Sequence, residues 1–597
     1  MEGAPATGSA RKSSAFAGGS SARPLKTRGR GQPTKGVTLK ALAASIKSNL
    51  EREWFGSPPH RAMIGRPRPV GLAAHPHDPR PVDPERGRQL IEGVMVLDGG
   101  ALRLGETGDP FDQPSPTRQF ATALHRFDWL PDLMAAGPGS ARLALRLLQD
   151  WRRVFGVWNA FSWSGERLER RTFHLACAAR GLSPEASDAE ISAMAQDLAR
   201  GARQLLKASD APQRKLERAV VVTIAGCALS GKAGDRLIAE GLKRVNALLD
   251  AAVLPDGGHA SRSPEAGLEL LFDLLTLDDA LGQRGRPHPE RLTRAIDRLS
   301  SSVRFFTLAD GRLAAFQGGE AVEPRRIAAA LAHDDQGPRP PQTAPHVGYQ
   351  KMQGGSLQVI ADAGTPAVGV LSVTACAQPA AVEIVFGKDR LITSCGWSPE
   401  AVGANAFRLS GAASTVSVGD GSAGRPLSGW RSEALGPWLI DGATEVEIKR
   451  HDADVGVWLD IIHDGWRRLG LTHARRLYLD LKADELRGED SLIPILDKNG
   501  GSPNPDGPRR YLPFSVTFHL HPDARASLAR DGKSVLIKGP SNVGWWLRND
   551  AVDVAITPSA YFDHGQTRPA GAIVLKSQVR PEKGAKIRWK LVRATDH

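Results

Sequence analysis

Residues 461–480 read IIHDGWRRLGLTHARRLYLD, and this stretch decides the fold of the second half of the chain. Apolar and polar residues alternate around Asp464-Gly465, a residue pair that is typical of a tight turn between two strands. Because a strand directs every second side chain to one face, this alternation predicts a β-hairpin rather than a helix.

The same period of two continues on both sides of this hairpin. Eleven short segments show it, with turn residues between them and without an intervening helical pattern. They are SLQVIADA (356–363), AVGVLSVTA (367–375), AVEIVFG (381–387), RLITSCG (390–396), STVSVG (414–419), VEIKRHDADVGVWLDII (446–462), RRLYLDLKADELRGED (475–490), SVTFHLH (515–521), SVLIKG (534–539), GWWLRN (544–549) and DVAITPS (553–559). Successive strands without helices between them pair antiparallel, so we predict an antiparallel β-sandwich over residues 341–597.

The first half of the chain has the period of 3.6 that is typical of helices. Amphipathic runs separated by Gly, Pro, Asp and Ser breaks include SARLALRLLQDWRRVF (140–155), DRLIAEGLKRVNALLDAAV (235–253) and SPEAGLELLFDLLTLDDAL (263–281). The period changes after the proline-rich loop at 333–346. We therefore predict a domain of helical hairpins packed side by side over residues 37–340, ahead of the sandwich.

The positive charge is concentrated at the N-terminus. The net charge is +13, and residues 1–40 alone hold eight Lys or Arg and one acid, which gives +7. Residues 1–36 have almost no periodic apolar positions and predict a disordered basic tail. The next segment, 37–55, predicts a docking helix from the helical spacing of its apolar residues. These are Leu39, Leu42, Ile46, Leu50 and Phe55.

Composition excludes several classes of protein. No run approaches the roughly 18 apolar residues of a membrane-spanning helix, and the N-terminus lacks the apolar stretch of a secretory signal, so we predict no transmembrane segment and a cytoplasmic location. The four cysteines include no CxxC pair, which argues against a disulfide framework. No phosphate-binding Gly loop, HExxH or GxSxG motif occurs, so we predict no cofactor. The mildly basic remainder fits an acidic substrate and indicates no specific nucleic acid.

Two turns carry candidate catalytic residues. The turn LPDGGHASRSPEAG (254–267) presents His259 and Arg262, a pair suited to recognising a carboxylate, although both could instead satisfy helix ends. The boundary segment TAPHVGYQKM (343–352) presents His346 and Tyr349, which could act as a base and an acid, although Tyr349 could instead bond to backbone.

Two pairs of histidines add weaker candidates. His463 and His473 lie around the hairpin turn, as possible substrate-binding groups or as polar residues at strand ends. His519 and His521 share a strand face, but no third ligand lies near them in the sequence, so we predict no metal site.

The chain resembles the heparinase II/III-like polysaccharide lyases, in the form common in alphaproteobacteria. The strings that carry the resemblance are LPDGGHASRSPEAGLELLFDLL (254–275), HDGWRRLGLTHARRLYLD (463–480) and DELRGEDSL (484–492), and it covers about residues 40–590. The resemblance implies an incomplete α/α toroid followed by an antiparallel β-sandwich, with a cleft between them. It also implies β-elimination on a uronate-containing glycan, in which a base removes the proton on C5 and an acid assists the leaving oxygen.

The sequence departs from the family pattern at several site positions. Where the family has an H-x-H-x-D string, this chain has Thr374-Ala375-Cys376-Ala377-Gln378, and Ser394 and Ala413 replace an Asp and a His. The tyrosine acid of the helical domain falls near Phe316, whereas His259 matches the histidine that neutralises the substrate carboxylate.

Three hypotheses follow from these observations. The first, which we predict, is a lyase acting on an acidic polysaccharide, with His259, Tyr349 and His346 as catalytic residues and Arg262, His463 and His473 as substrate-binding residues. The second is a catalytically impaired relative that binds the glycan without turnover. The third is a polyanion-binding protein that acts through its basic tail. The family resemblance offers the cell envelope or periplasm as an alternative location, and the sequence leaves the oligomeric state open.

Overall fold

The computed structural model describes most of the chain outside its N-terminal tail. The described residues are 25–28, 36–105, 108–334, 337–338, 340–397, 399, 403–496, 511–563 and 565–594. Apart from residues 25–28 and Gly36, the predicted disordered tail 1–36 lies outside them. Residues 25–28 form a strand that pairs antiparallel with residues 445–448, so disorder does not extend to these four residues.

The first half of the described chain is mainly helical. In chain order its elements are β1 (Leu25–Arg28), α1 (Val37–Gly56), α2 (Pro58–Ile64), α3 (Pro84–Ile91), β2 (Val94–Leu97), β3 (Gly100–Arg103), α4 (Arg118–Arg126), α5 (Trp129–Met134), α6 (Ser140–Phe155), α7 (Gly165–Leu182), α8 (Asp188–Leu205), α9 (Lys215–Ala228), α10 (Gly231–Ala252), α11 (Pro264–Gln283), α12 (Glu290–Phe306) and α13 (Pro324–Leu331).

The second half is built almost entirely of strands. Its elements are β4 (Thr343–Ala344), β5 (Tyr349–Gly354), β6 (Leu357–Asp362), β7 (Val382–Phe386), β8 (Asp389–Thr393), β9 (Val416–Val418), β10 (Arg425–Pro426), α14 (Trp430–Leu435), β11 (Leu439–Ile440), β12 (Glu445–Ala453), β13 (Gly456–His463), β14 (Leu471–Asp480), β15 (Glu485–Pro494), β16 (Leu512–Leu520), β17 (Arg525–Leu528), β18 (Val535–Lys538), β19 (Gly544–Asn549), β20 (Asp553–Asp563), β21 (Gln566–Val579) and β22 (Ala585–Arg593).

Two nine-stranded antiparallel sheets form the sandwich. The outer sheet has the order β1-β12-β13-β14-β15-β22-β19-β18-β17, and the inner sheet has the order β20-β21-β16-β8-β7-β6-β5-β4, with β9 also paired to β16. A helical half followed by this sandwich confirms the predicted fold class. The last helix of the helical half ends at Leu331 and the first strand of the inner sheet begins at Thr343, while the division at residue 340 stays a prediction.

The inner sheet is the middle layer of the molecule. Val359 and Ala361 pack into the core between the two sheets, whereas Ile360, between them on β6, packs into the core of the helical half. All six residues of β6 are buried for this reason. Alternation along a strand therefore places one set of side chains in the sandwich and the other at the junction of the two halves.

One predicted strand is absent from the second half. Residues 367–375 were expected to be extended, but Gly369–Val373 form a 3₁₀ helix. Gly369 has φ +64°, a left-handed conformation that favours glycine, and the Ser372 hydroxyl donates to the Gly369 carbonyl at 2.7 Å. The tight turn that results ends the extended pattern, so the prediction of a strand here was wrong.

Helix α1 bridges the two halves with its apolar stripe turned outward. At its start Val37 packs with Leu427, Trp438 and Ile440 of the sandwich half. At its end the Phe55 ring lies 6.2 Å from the Trp158 ring of the helical half. The large apolar residues between these two ends are exposed, whereas the other long helices of this half bury their apolar faces. They are Leu39, Leu42, Ile46, Leu50 and Trp54.

Candidate functional site

The turn at 254–258 is packed against protein rather than open to a ligand. A Cβ on Gly257, which has φ +82°, would lie 1.9 Å from the Arg298 carbonyl oxygen, and one on Gly258 would lie 2.3 Å from the Val347 Cβ. The carboxylate of Asp256 accepts hydrogen bonds from the backbone N–H groups of His346 at 2.7 Å and Val347 at 2.9 Å. The glycine pair therefore permits a close fit between the two halves of the chain.

Arg262 ties the helical half to the inner sheet. Its guanidinium donates to the carbonyl oxygens of Val347 at 2.7 Å, Gly348 at 3.0 Å and Gly364 at 3.2 Å, and to the carboxylate of Asp362. Both charged side chains are buried. Four hydrogen bonds use most of the five guanidinium N–H donors, so this side chain has little capacity left for a substrate carboxylate.

Tyr349 is fully buried beneath Arg262. Its hydroxyl donates to the Arg262 carbonyl oxygen at 3.0 Å, and its ring lies 5.0 Å from the Phe306 ring and 5.2 Å from the Phe316 ring. Burial, with a contribution from the charge of Asp362, raises the pKa of this hydroxyl well above its usual value. These contacts are those of a core tyrosine bonded to backbone, which is the alternative that the sequence left open.

His259 and His346 have opposite environments. His259 is 8% exposed, and its Nδ1 lies 2.7 Å from the Ser261 hydroxyl. Burial, with a contribution from the charge of Arg214, lowers the pKa of His259 to about 4, so the ring is uncharged at neutral pH. His346 is exposed, and its backbone rather than its ring is bonded to Asp256. The junction thus gathers His259, Arg262, His346 and Tyr349 into one region.

His463 and His473 are not part of that region, because they lie inside the sandwich and face each other across β13 and β14. The Gly465 N–H donates to His463 Nδ1 at 3.2 Å, so His463 Nε2 carries the hydrogen that reaches His473 Nδ1 at 2.9 Å. His473 Nε2 then donates to Asp490 at 2.9 Å. Burial lowers the pKa of both histidines, and both rings are therefore neutral.

Asp490 is the charged end of this chain of hydrogen bonds. It also accepts from Arg475 Nε at 2.7 Å and from Trp589 Nε1 at 2.9 Å. Burial alone would raise the pKa of this carboxyl, but Arg475 and His473 outweigh burial and hold the pKa below its usual value. All of these groups are buried in the core, so the structure gives them internal partners rather than a surface that a glycan could reach.

Glu265, in the first turn of α11, is a group that the sequence did not single out. Its carboxylate accepts from the Glu320 backbone N–H at 2.9 Å. Burial, with the nearby charges of Glu320 and Glu269, raises its pKa to about 7 despite that hydrogen bond. A separation of 55 residues divides Glu265 from Glu320, so no local pattern could have brought them together.

Part of the interior of the helical half is held by buried ion pairs. Arg80 donates to Asp273 Oδ1 at 2.8 Å and to Glu269 at 3.1 Å, and Arg170 donates to the same Asp273 Oδ1 at 2.9 Å and to Oδ2 at 3.0 Å. Among the described residues, no group of three or more His, Cys, Asp or Glu side chains could hold a metal ion, and the absence of a metal stays a prediction.

The exposed face of α1 is a second candidate site. At the helical step of about 100° per residue, Val37, Ala41 and Phe55 lie on the side that meets the body. The apolar residues on the opposite side form the exposed stripe, which we define as Leu39, Leu42, Ile46, Leu50 and Trp54. Within the described residues, none of the helices is both long and apolar enough to cross a membrane.

Comparison with known proteins shows which family and which relative the chain is similar to. A family model described as "Heparinase II/III-like, C-terminal" matches residues 336–590. A relative from Caulobacter vibrioides (strain NA1000 / CB15N), "FtsZ-localized protein C", is 70% identical over 560 residues, which is 94% of this chain and 96% of the relative.

Solved structures share the fold at much lower identity. The crystal structure of heparinase III is similar with a TM-score of 0.68 at 12% identity, over 94% of this chain and 92% of that one. The heparan sulfate lyase HepC from Pedobacter heparinus has a TM-score of 0.54 at 14% identity, over 94% and 92% of the two chains.

Proposed function

This chain belongs to the heparinase II/III-like family, and we propose that it uses the lyase fold as a binding body rather than as a catalyst. The observation that carries this proposal is the state of Tyr349 and Arg262. The tyrosine is fully buried with its hydroxyl donating to backbone, and the arginine holds the buried Asp362. Neither group is available to a sugar ring.

The remaining groups at the junction do not supply the missing chemistry. Proton abstraction next to a carboxylate requires that the carboxylate charge be neutralised. His259, with a pKa of about 4, is uncharged at neutral pH and does not provide that charge. The resemblance places the tyrosine acid of the family near Phe316, which has no proton to donate. A lyase reaction would therefore have neither a charged His259 to neutralise the carboxylate nor a tyrosine acid near Phe316.

We further propose that the exposed stripe of α1 attaches the protein to an anionic lipid surface. A helix with one strong apolar face and flanking basic residues lies in the plane of a membrane interface. The stripe is apolar and exposed, Lys40 and Lys47 lie beside it, with Lys47 paired to Glu51 at 3.7 Å, and residues 1–39 add a net charge of +6. Each basic residue near an anionic surface contributes on the order of 1 kcal/mol to binding.

The close relative is named for localisation with FtsZ, and we extend that association to this chain. In this proposal the body made of the helical half and the sandwich works together with FtsZ, while α1 holds it at the lipid surface. This setting corresponds to the predicted cytoplasmic location rather than to the periplasmic alternative.

The second candidate function is the predicted lyase reaction on an acidic polysaccharide. Glu265 favours it, because a carboxyl with a pKa of about 7 suits general acid or base catalysis at neutral pH. In that hypothesis His259, Tyr349 and His346 keep their predicted catalytic roles, and Arg262, His463 and His473 keep their predicted substrate-binding roles. The buried positions of five of these six residues argue against it.

Two experiments separate these functions. Purified protein is incubated with a panel of uronic-acid polymers, and the ultraviolet absorbance of unsaturated product is followed with an active lyase as the positive control. We expect no product. Turnover would overturn the binding-only proposal, and its loss in Glu265→Gln would assign the acid or base role to Glu265.

The second experiment is flotation, in a density gradient, of vesicles that contain an anionic phospholipid, mixed with polymerised FtsZ in the presence and absence of this protein. We expect FtsZ to float with the vesicles only when this protein is present. If the protein floats with the vesicles while FtsZ stays at the bottom of the gradient, the association with FtsZ is refuted and vesicle binding is retained.

A further inference from the structure

Arg171, on α7, is a buried cation without a carboxylate partner. It is 4% exposed, and its Nη1 donates to the carbonyl oxygens of Ser162 at 2.6 Å and His125 at 3.2 Å. Among the described residues these are its hydrogen bonds, and none is to an acid. A buried guanidinium usually pairs with a carboxylate, because an isolated charge in the interior is costly.

Aromatic rings surround this guanidinium but do not balance its charge. The Arg171 Cζ lies 4.2 Å from the centre of the Trp151 ring and 5.5 Å from that of the Trp163 ring. Stacking of this kind offsets only part of the cost of burying an unpaired ion. Burial lowers the pKa of Arg171 to about 9 even though Asp197 acts in the opposite direction.

The neighbouring charges leave an excess of positive charge. Asp197 is the one carboxylate that lines the cavity beside Arg171, and it is paired with Arg152 at 2.7 Å. Arg200 lies 5.5 Å from the centre of the Trp163 ring and donates to the Gly156 carbonyl oxygen at 2.9 Å. Among the described residues, Arg152 is therefore the one of these three arginines that is paired with a carboxylate.

A small cavity adjoins these groups. Its volume is about 20 Å³, and its lining includes Arg171, Trp151, Trp163, Arg152 and Asp197. A space of this size holds one water molecule or one ion of similar radius, and it is too small for a sulfate, a phosphate or a sugar.

We propose that this cavity is a binding site for a single monatomic anion, chloride or bromide, which neutralises the buried Arg171. The charge excess selects an anion over water, and the cavity volume selects a monatomic ion over an oxyanion. The site lies within the helical half, away from the exposed stripe of α1, and does not depend on the proposed function.

The first test is thermal unfolding of the full chain at constant ionic strength, with sodium gluconate replaced stepwise by sodium chloride. We expect a saturable rise in Tm of about 2 °C, because a ligand that binds only the folded state stabilises it by mass action. Arg171→Met should abolish the rise. Arg180→Met, at an exposed position of the same helix, should keep it.

The second test does not need a variant. Bromide quenches tryptophan fluorescence on contact, so bromide bound beside Trp151 and Trp163 should quench part of the emission in a saturable manner, and added chloride should reverse it. Purely linear quenching, together with a Tm that is the same in gluconate and chloride, would show that the cavity holds water only. A rise in Tm that persists in Arg171→Met would also overturn the proposal.

Discussion

The double substitution Ile46→Ser/Leu50→Ser should release the protein from anionic vesicles without unfolding it. Ile46 and Leu50 are 55% and 67% exposed, so these are the fractions of each side chain that lipid would cover. Full burial of such a side chain is worth about 2.5 kcal/mol. The two together therefore contribute about 3 kcal/mol, and their loss should weaken partitioning about 100-fold.

The assay is sedimentation of the purified protein with vesicles of phosphatidylcholine containing a stated fraction of phosphatidylglycerol. Val552→Ser is the matched control, because Val552 is 76% exposed in the sandwich half, outside the stripe. We expect the control to bind like the unaltered protein, and all three proteins to share one Tm. Equal sedimentation of the double variant would refute the role of the stripe, and a lowered Tm would show that the stripe supports the fold instead.

Three other predictions concern Arg262 at the junction, the buried His259 and the tail. Arg262→Met should lower the free energy of unfolding by about 3–5 kcal/mol, since it leaves Asp362 buried without its cation; a loss below 1 kcal/mol in urea titration would contradict the role of Arg262 as a tie. The pKa of His259 is about 4 in the folded protein and roughly 6.5 in the unfolded chain. The contribution of neutral His259 to the free energy of unfolding is therefore complete above pH 6.5 and is lost as the pH falls towards 4. His259→Asn should reduce this loss of stability in urea titrations across that pH range. Deletion of residues 1–24 should leave Tm unchanged and weaken vesicle binding most at low salt, whereas a large fall in Tm would show that the tail supports the folded body.

The pairing of strands could be predicted because its signal is local. The alternation around Asp464-Gly465 predicts the hairpin in which His463 faces His473, and the structure has that register. Their burial depends on Asp490 from the next strand and on Trp589 from a strand about one hundred residues further along the chain. The spacing of residues in the sequence does not indicate contacts between residues about one hundred positions apart.

The same limit explains the candidate site. The glycine pair within residues 254–267 predicts a tight turn, and the structure has one there. The partners that occupy Arg262 lie between 85 and 102 residues away, so the sequence could not distinguish a bound carboxylate from backbone carbonyls. Helix α1 shows a related ambiguity, because an apolar stripe has the same periodicity whether it faces a core or the outside.

The two attachments of α1 have a mechanical consequence. The helix is held by the sandwich at its start and by the helical half at its end, and Arg262 and Lys351 bond the two halves directly to each other. A load applied along the outer face of α1 would enter both halves in parallel rather than passing through one to reach the other. The two halves would then act as one rigid body between the lipid surface and a bound protein partner that exerts the load.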